Sequence, residues 1–248
     1  MMKRGLLYPL LLLSLTACGG ASEVDERANK SAKIHTELAA SYFERGQYAI
    51  ALQEIGAALQ SDDSYAQAYN VRALVHMTLK EDEEADRDFR RSLKLDPGNA
   101  GTHNNYGWFL CQRGRAKESI PQFLEALKDP LYATPDLAYS NAGVCAIKAG
   151  DLAVANSYLE RALILHPEMP EALVGMAELN YTRGDYVMAR MHWQRFLQTD
   201  PQLDAAQLWL AVRIARKMND RNAEASYAMQ LRNRFPDSTE AQRLQARE

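Results

Sequence analysis

The sequence lacks the local patterns with which most enzymes hold a substrate or a cofactor. It contains no glycine-rich phosphate-binding loop and no Gly-x-Ser-x-Gly nucleophile motif. Its five histidines lie far apart, and none has a second ligand at metal-binding spacing; they are His35, His76, His103, His166 and His192. We therefore expect no catalytic residue, no metal ion and no cofactor.

An excess of positive charge is also absent. Lys and Arg number 29 against 32 Asp and Glu, which gives a formal net charge of -3 at pH 7. Lys3 and Arg4 are the only strongly basic feature of the chain. Because proteins that bind nucleic acid present a basic face, we expect no nucleic-acid partner. Three cysteines are too few for a disulfide scaffold.

The first residues have the pattern of an export signal. Lys3 and Arg4 precede an apolar run over residues 6–15, which is too short to span a bilayer. Residues 15–18, Leu-Thr-Ala-Cys, resemble a bacterial lipobox, which implies a signal peptide over residues 1–17 and acylation of Cys18. An ordinary signal peptide with an incidental cysteine is the alternative. Gly19 in place of aspartate implies, by resemblance to enterobacterial lipoproteins, transport onward to the outer membrane.

A flexible tether is predicted to follow the acylated cysteine over residues 18–31. This segment is polar and lacks apolar periodicity, and random-coil scaling gives it a reach of roughly 20 Å.

The remainder of the chain repeats with a period of 34 residues. Each unit has a small residue in its first half, namely Ala39, Ala73, Gly107, Gly143, Ala177 and Ala211. A bulky residue follows in the second half, namely Ile55, Phe89, Phe123, Leu159, Trp193 and Tyr227. The turn between the halves has Gly46, Gly114, Gly150 and Gly184 in four units, and Lys80 and Met218 in two. Two extra residues separate the third unit from the fourth.

This pattern resembles the tetratricopeptide repeat, whose helical hairpin has the same period and the same small and large sites. The resemblance implies an all-α, right-handed superhelix of six hairpins over residues 32–236, followed by a polar tail at 237–248. The units start near Ala32, Ala66, Ala100, Asp136, Pro170 and Asp204. A single hairpin buries little apolar surface, so neighbouring hairpins must stack.

Cys111 and Cys145 are predicted to form a disulfide bond. They occupy positions 12 and 10 of the first helices of units three and four, which are neighbours in a superhelix. Export to an oxidising compartment would preserve such a bond. The alternative is a pair of small buried apolar residues.

The inner, concave face of this repeat class normally binds the ligand, and it is lined by positions 2, 5, 9 and 12 of the first helices. In the first units these positions are mostly apolar, with two asparagines. We predict a groove for an extended or helical apolar segment, lined by Phe43, Asn70, Leu74, Met77, Asn104 and Trp108. The alternative is that Phe43 and Trp108 are ordinary core residues.

The lipobox, the six repeats, residues 104–111 (Asn-Asn-Tyr-Gly-Trp-Phe-Leu-Cys) and the two later cysteines together resemble the type IV pilus biogenesis lipoproteins, or pilotins. The resemblance implies a lipid-anchored protein on the periplasmic face of the outer membrane that binds pilus secretin subunits and promotes their multimerisation. Pilus assembly and twitching motility would depend on it. We expect a monomer.

Two other functions stay open from the sequence. One is a repeat lipoprotein that activates a cell-wall synthase, and the other is an enzyme such as a peptidoglycan hydrolase. The missing catalytic pattern disfavours the second.

Overall fold

The computed structural model describes residues 20–246, with side chains from residue 25 onward, and all of its regular secondary structure is helical. Thirteen helices occupy this range. They are α1 (Gly20–Glu44), α2 (Tyr48–Ser61), α3 (Ala66–Leu79), α4 (Asp82–Leu95), α5 (Ala100–Gln112), α6 (Ala116–Ala126), α7 (Pro135–Ala149), α8 (Leu152–Leu165), α9 (Pro170–Arg183), α10 (Tyr186–Leu197), α11 (Ala205–Lys217), α12 (Arg221–Arg234) and α13 (Thr239–Ala246).

The first twelve helices form six antiparallel hairpins that stack in chain order. Each odd-numbered helix packs against the even-numbered helix that follows it, and against the next odd-numbered helix. Each even-numbered helix packs against the first helix of the next hairpin. The predicted all-α superhelix of six tetratricopeptide hairpins is confirmed. The first helices α5, α7, α9 and α11 therefore lie side by side along the inner face.

The small and bulky sites of the repeat meet inside each hairpin. A Cβ atom added to Gly107 would lie 2.8 Å from Cε1 of Phe123, and one added to Gly143 would lie 2.6 Å from Cγ of Leu159. Phe123 and Leu159 are fully buried. Because the paired helices of the third and fourth units approach more closely than a methyl group allows, glycine is a steric requirement of these two hairpins.

The turns between paired helices use left-handed backbone, as the glycines of the repeat predict. Gly46, Gly114, Gly150 and Gly184 have φ between 71° and 84°. In the second unit Lys80 takes this conformation with φ of 63°. In the sixth unit the left-handed residue is Asn219, with φ of 57°, whereas Met218 stays helical. The turn register of the last unit is therefore shifted by one residue from the prediction.

The segment preceding the first repeat is helical. The prediction of a flexible tether over residues 18–31 is therefore wrong for residues 20–31. Helix α1 is 25 residues long, or about 37 Å. Nδ2 of Asn29 donates to Oδ2 of Asp62 at 3.2 Å, and the Ser31 and Ser61 hydroxyls are 3.0 Å apart. A helix that is already nucleated extends at low cost, and these polar contacts hold it against the end of α2.

The other end of the chain differs from the prediction as well. Residues 239–246, predicted to be part of a polar tail, form α13, and Ala241 and Leu244 are buried on its inner side. The hydroxyl of Ser238 accepts a hydrogen bond from the backbone N–H of Ala241 at 3.1 Å and caps this helix. A two-residue apolar stripe is too short to stand out from a polar sequence, which is why the pattern predicted a tail.

The predicted signal peptide (residues 1–17) and Cys18 lie outside the described residues. Among the helices of residues 20–246, none combines the length and the apolar character that crossing a membrane requires.

Candidate partner-binding cleft

A cleft runs along the inner face of the last four units, between helices α5, α7, α9 and α11. It consists of two adjoining parts of about 480 Å³ and about 670 Å³, which share Trp108, Val144, Val174 and Gln207 in their walls. We call it the inner cleft. Each part has the size of an ordinary ligand pocket.

Apolar side chains from successive first helices line the inner cleft. Trp108 comes from α5, Leu137 and Val144 from α7, and Val174 from α9. All four are partly buried, so each presents some apolar surface to the cleft. They stand at positions 9, 2, 9 and 5 of their units, and the helical repeat therefore brings them to one face. The arrangement is a ladder of apolar contacts across the hairpin boundaries.

Trp108 belongs both to the inner cleft and to the protein interior. Its ring packs against the buried cluster that contains Cys111 and Cys145, and the ring also lines both parts of the cleft. The ammonium of Lys148 lies 5.9 Å from the ring centroid. Partial burial of this ammonium lowers the pKa of Lys148. Trp108 is therefore placed where a partner could contact it, and its inner edge supports the packing.

The two cysteines join the helices on either side of this tryptophan. The Sγ atoms of Cys111 in α5 and Cys145 in α7 are 2.11 Å apart, and their Cα atoms are 5.8 Å apart. Both residues are buried against Phe123 and Ala142. The linked helices are separated in sequence by α6 and by the loop that carries the two extra residues.

The two predicted groove asparagines form hydrogen bonds between repeats. Nδ2 of Asn105 donates to Oδ1 of Asn70 at 3.2 Å, and Nδ2 of Asn141 donates to Oδ1 of Asn104 at 3.1 Å. Asn70 and Asn104 are buried. Their carboxamide oxygens thus fix the spacing of neighbouring first helices. Asn104 lines the inner cleft, whereas Asn70 lies one unit earlier and does not line it.

A buried hydroxyl in the cleft wall has no partner. Ser140 is fully buried, it lines the inner cleft, and its Oγ makes no hydrogen bond within residues 20–246. Buried polar groups are nearly always paired, so this hydroxyl is an exception in the wall of the cleft. Because it has almost no accessible surface, a bound chain could reach it only if the wall opened.

The remaining predicted groove residues pack elsewhere. The ring of Phe43 lies 5.9 Å from that of Tyr48 and contributes to the core of the first unit. Leu74 and Met77 pack against the buried cluster of the second and third units. None of these three lines the inner cleft. The inner cleft lies in units three to six, and of the six predicted groove residues Asn104 and Trp108 line it.

The wall opposite α5 contains residues that the repeat pattern did not identify. Trp209 and Arg213 come from α11, and Glu240 and Arg243 come from α13. The guanidinium of Arg213 lies 4.6 Å from the ring centroid of Tyr181 and donates to Glu178 at 2.8 Å. Applying the same inner positions to the first helix of the fifth unit would have identified Val174 at position 5. No sequence signal places α13 at the cleft.

The charges of the cleft do not favour a metal ion or a simple anion. Its larger part has three acidic and three basic side chains, namely Glu178, Asp204, Glu240, Lys148, Arg213 and Arg243. Across residues 20–246 there is no group of three or more His, Cys, Asp or Glu side chains that could hold a metal ion. An apolar ladder with balanced charges suits a polypeptide segment better.

A tetratricopeptide repeat profile matches residues 36–100 and 142–204. The chain is similar to the type IV pilus assembly protein PilF of Pseudomonas aeruginosa, with 33% identity over 248 residues that cover 98% of both proteins.

Two solved structures are similar in fold and sequence. A crystal structure of PilW, described as a widely conserved type IV pilus biogenesis factor, is 35% identical, with a TM-score of 0.78. The match covers 87% of this chain and 99% of PilW. A structure of Pseudomonas aeruginosa PilF is 33% identical, with a TM-score of 0.75, over 89% of this chain and 99% of that one.

Proposed function

We propose, from the premise that this chain belongs to the tetratricopeptide repeat family and has type IV pilus assembly proteins as its homologues, that it is a pilotin. Its role lies in type IV pilus biogenesis. In this role it binds pilus secretin subunits through the inner cleft and promotes their localisation and multimerisation in the outer membrane. Pilus assembly then depends on it.

The observation that carries the proposal is the chemistry of the inner cleft. Trp108, Val144 and Val174 are partly exposed and offer apolar contacts at successive repeats. An extended or helical segment of a secretin subunit would place its apolar side chains against this ladder.

The anchor completes the mechanism. Acyl chains on Cys18 would hold the protein at the periplasmic face of the outer membrane, because several chains anchor stably where one does not. Holding subunits at one membrane raises their local concentration, which favours multimer formation. The long helix α1 would then stand between the anchor and the repeats.

A matched pair of valine substitutions tests the cleft. Val174 lines both parts of the inner cleft, whereas Val187 is 62% exposed on the second helix of the same unit. Val174→Glu places a charge against the apolar ladder, and we expect the yield of secretin multimers in membranes to fall at least about tenfold, because an unpaired carboxylate in an apolar contact costs several times RT. Val187→Glu should leave the yield unchanged.

Both variants are compared by circular dichroism and thermal melting, so that a folding defect is separated from a binding defect. A folded Val174→Glu protein that supports normal multimers would exclude the inner cleft as the secretin site. Normal multimers in a strain that lacks the protein altogether would exclude the pilotin role and favour the cell-wall alternative.

A further inference from the structure

The end of the superhelix that is remote from α1 has a trough of its own. It lies between α12, the last turn of α11, and α13, and has a volume of about 470 Å³. We call it the end trough. Its lining residues are Arg216, Arg221, Glu224, Ala225, Ala228, Arg232 and Leu244.

The end trough follows one face of α12. Arg221, Ala225, Ala228 and Arg232 are spaced by four, three and four residues, which places them in one row along the helix. Eleven residues separate the two arginines, and a rise of 1.5 Å per residue puts their Cα atoms about 16 Å apart. Two alanines and Leu244 of α13 form an apolar floor between them. The trough is therefore narrow, long and marked by a cation at each end.

The charge of the end trough is predominantly positive. Three arginines face a single acid, Glu224, and this acid is already held by Arg216 through an Nε–Oε1 hydrogen bond of 2.9 Å. Arg221 and Arg232 are exposed and make no hydrogen bond or ion pair within residues 20–246. Two guanidinium groups thus remain available in a chain whose net charge is -3.

The trough exists because the superhelix is incompletely covered at this end. In the inner hairpins, the next first helix packs against the exposed side of the preceding hairpin. Here that place belongs to α13, which has eight residues and, among the thirteen described helices, contacts α11 and α12 alone. A polar end surface also keeps a repeat protein soluble, but solubility requires neither an excess of positive charge nor an apolar floor.

We propose that the end trough binds an extended acidic segment of a protein partner. Its carboxylates would pair with Arg221 and Arg232, since guanidinium groups bind carboxylates in a bidentate manner. At about 3.3 Å per residue, a 16 Å separation corresponds to acidic residues roughly five positions apart, with small apolar residues between them on the alanine floor. A lipid headgroup carries its charge at one point and would not span the two arginines. This inference is independent of the inner cleft and of the pilotin role.

The test uses the full chain purified in detergent and a fluorescein-labelled peptide, Glu-Glu-Val-Ala-Ser-Val-Glu-Glu. Binding is followed by fluorescence anisotropy in about 0.05 M salt, where screening of the charges is weak. We expect Arg221→Glu with Arg232→Glu to weaken binding at least about tenfold, because two charge pairs become repulsive. The control is Lys117→Glu with Arg161→Glu, which changes the net charge equally at exposed positions of α6 and α8. The control should change the affinity less than about twofold.

Three results would overturn the proposal. The first is no binding of the peptide by the unaltered chain. The second is an equal loss of affinity in the two double variants, which would mean that net charge alone attracts the peptide. The third is displacement of the peptide by short-chain phosphatidylglycerol at the concentration at which unlabelled peptide displaces it, which would identify an anionic headgroup as the ligand. Thermal melting confirms that both variants are folded.

Discussion

Replacing Gly143 by alanine separates two effects that act in opposite directions. Gly143 lies inside α7, and alanine is the better helix former by about 1 kcal/mol. Helix propensity alone therefore predicts a more stable protein. The packing of α7 on α8 predicts the contrary, because the new Cβ would lie 2.6 Å from Cγ and 3.2 Å from the backbone nitrogen of Leu159.

The geometry indicates that packing outweighs propensity. Carbon atoms in contact are about 3.5–4 Å apart, so the overlap with Cγ of Leu159 is near 1 Å. Rotating the Leu159 side chain cannot remove the contact with its own backbone nitrogen. Overpacking of this kind costs about 1–3 kcal/mol, and the upper half of that range is expected here. After the gain in propensity, Gly143→Ala should lose about 1–2 kcal/mol, which for a chain of this size lowers the melting temperature by roughly 2–8 °C.

Gly56 provides the control, because it also lies inside a helix but no atom of the described residues would lie within 4 Å of an added Cβ, apart from its chain neighbours and its own helix backbone. Gly56→Ala should raise the melting temperature by roughly 1–4 °C. Leu159→Ala removes the obstructing side chain and should by itself cost about 2–5 kcal/mol. In that background Gly143→Ala should cost less than in the unaltered chain, since of the close contacts only the 3.2 Å approach to the backbone nitrogen of residue 159 remains.

Thermal melting followed by circular dichroism at the helix band measures all four variants. If Gly143→Ala raised the melting temperature as Gly56→Ala does, close approach of the paired helices could not be the reason for the small site. If Gly143→Ala had the same effect with and without the Leu159 side chain, the two positions would not be coupled, and the small-to-bulky contact of the repeat would be refuted.

Four further outcomes are expected. Lys80→Gly should stabilise the protein by about 0.5–1 kcal/mol, because Lys80 has φ of 63°; a lower melting temperature would contradict this. Burial, with a further contribution from Arg195, lowers the pKa of His192. The folded state therefore binds fewer protons than the unfolded state, and stability should fall as pH drops below about 6.5. His192→Leu should reduce this loss of stability, measured by urea titration at two pH values. An unchanged difference in unfolding free energy between the two pH values would contradict it. Protein from an oxidising compartment should show no free thiol at Cys111 or Cys145 by mass spectrometry, and reduction should cost roughly 2–4 kcal/mol; alkylation of both under denaturing, non-reducing conditions would rule out the bond. Cys18→Ser should leave the protein folded but absent from the outer membrane on fractionation, and an unchanged distribution would exclude the lipid anchor.

The repeat architecture could be predicted because its determinants are local. A glycine at position 107 and a phenylalanine at position 123 meet within one hairpin, and the distance between them is fixed by two helices and a short turn. The same spacing recurs in every unit, so six copies of a weak pattern reinforce one another. The turn glycines are predictable for the same reason, since their left-handed backbone depends on the turn alone.

The two ends of the chain could not be predicted in this way because they occur only once. Residues 20–31 contain no apolar stripe, and they are helical because α1 already exists to extend and because Asn29 and Ser31 contact the end of α2. Helix α13 depends on two buried residues, Ala241 and Leu244, and on the surface that the sixth hairpin leaves open.

The position of the cleft required the structure, because the repeat offers equivalent inner positions in every unit. Leu74 and Trp108 both stand at position 9 of their units. Both are partly buried: Leu74 packs against the cluster of Phe89, Tyr106 and Phe109, whereas Trp108 packs against its own cluster and also lines the cleft beside Val144. Periodicity alone does not encode which of these equivalent positions borders a cleft.

The joint between the third and fourth units links the fold to the cleft. The two extra residues before α7 lengthen the connection, which alone would let α5 and α7 vary in separation. At this joint the Cys111–Cys145 pair and the Asn141–Asn104 hydrogen bond connect the same two helices. Trp108 lies on one side of the joint and Val144 on the other, and both line the cleft. The cysteine pair and the asparagine hydrogen bond therefore both restrain the width of the cleft between them. Because reduction removes the stronger of the two restraints, it should change partner binding before it changes helix content.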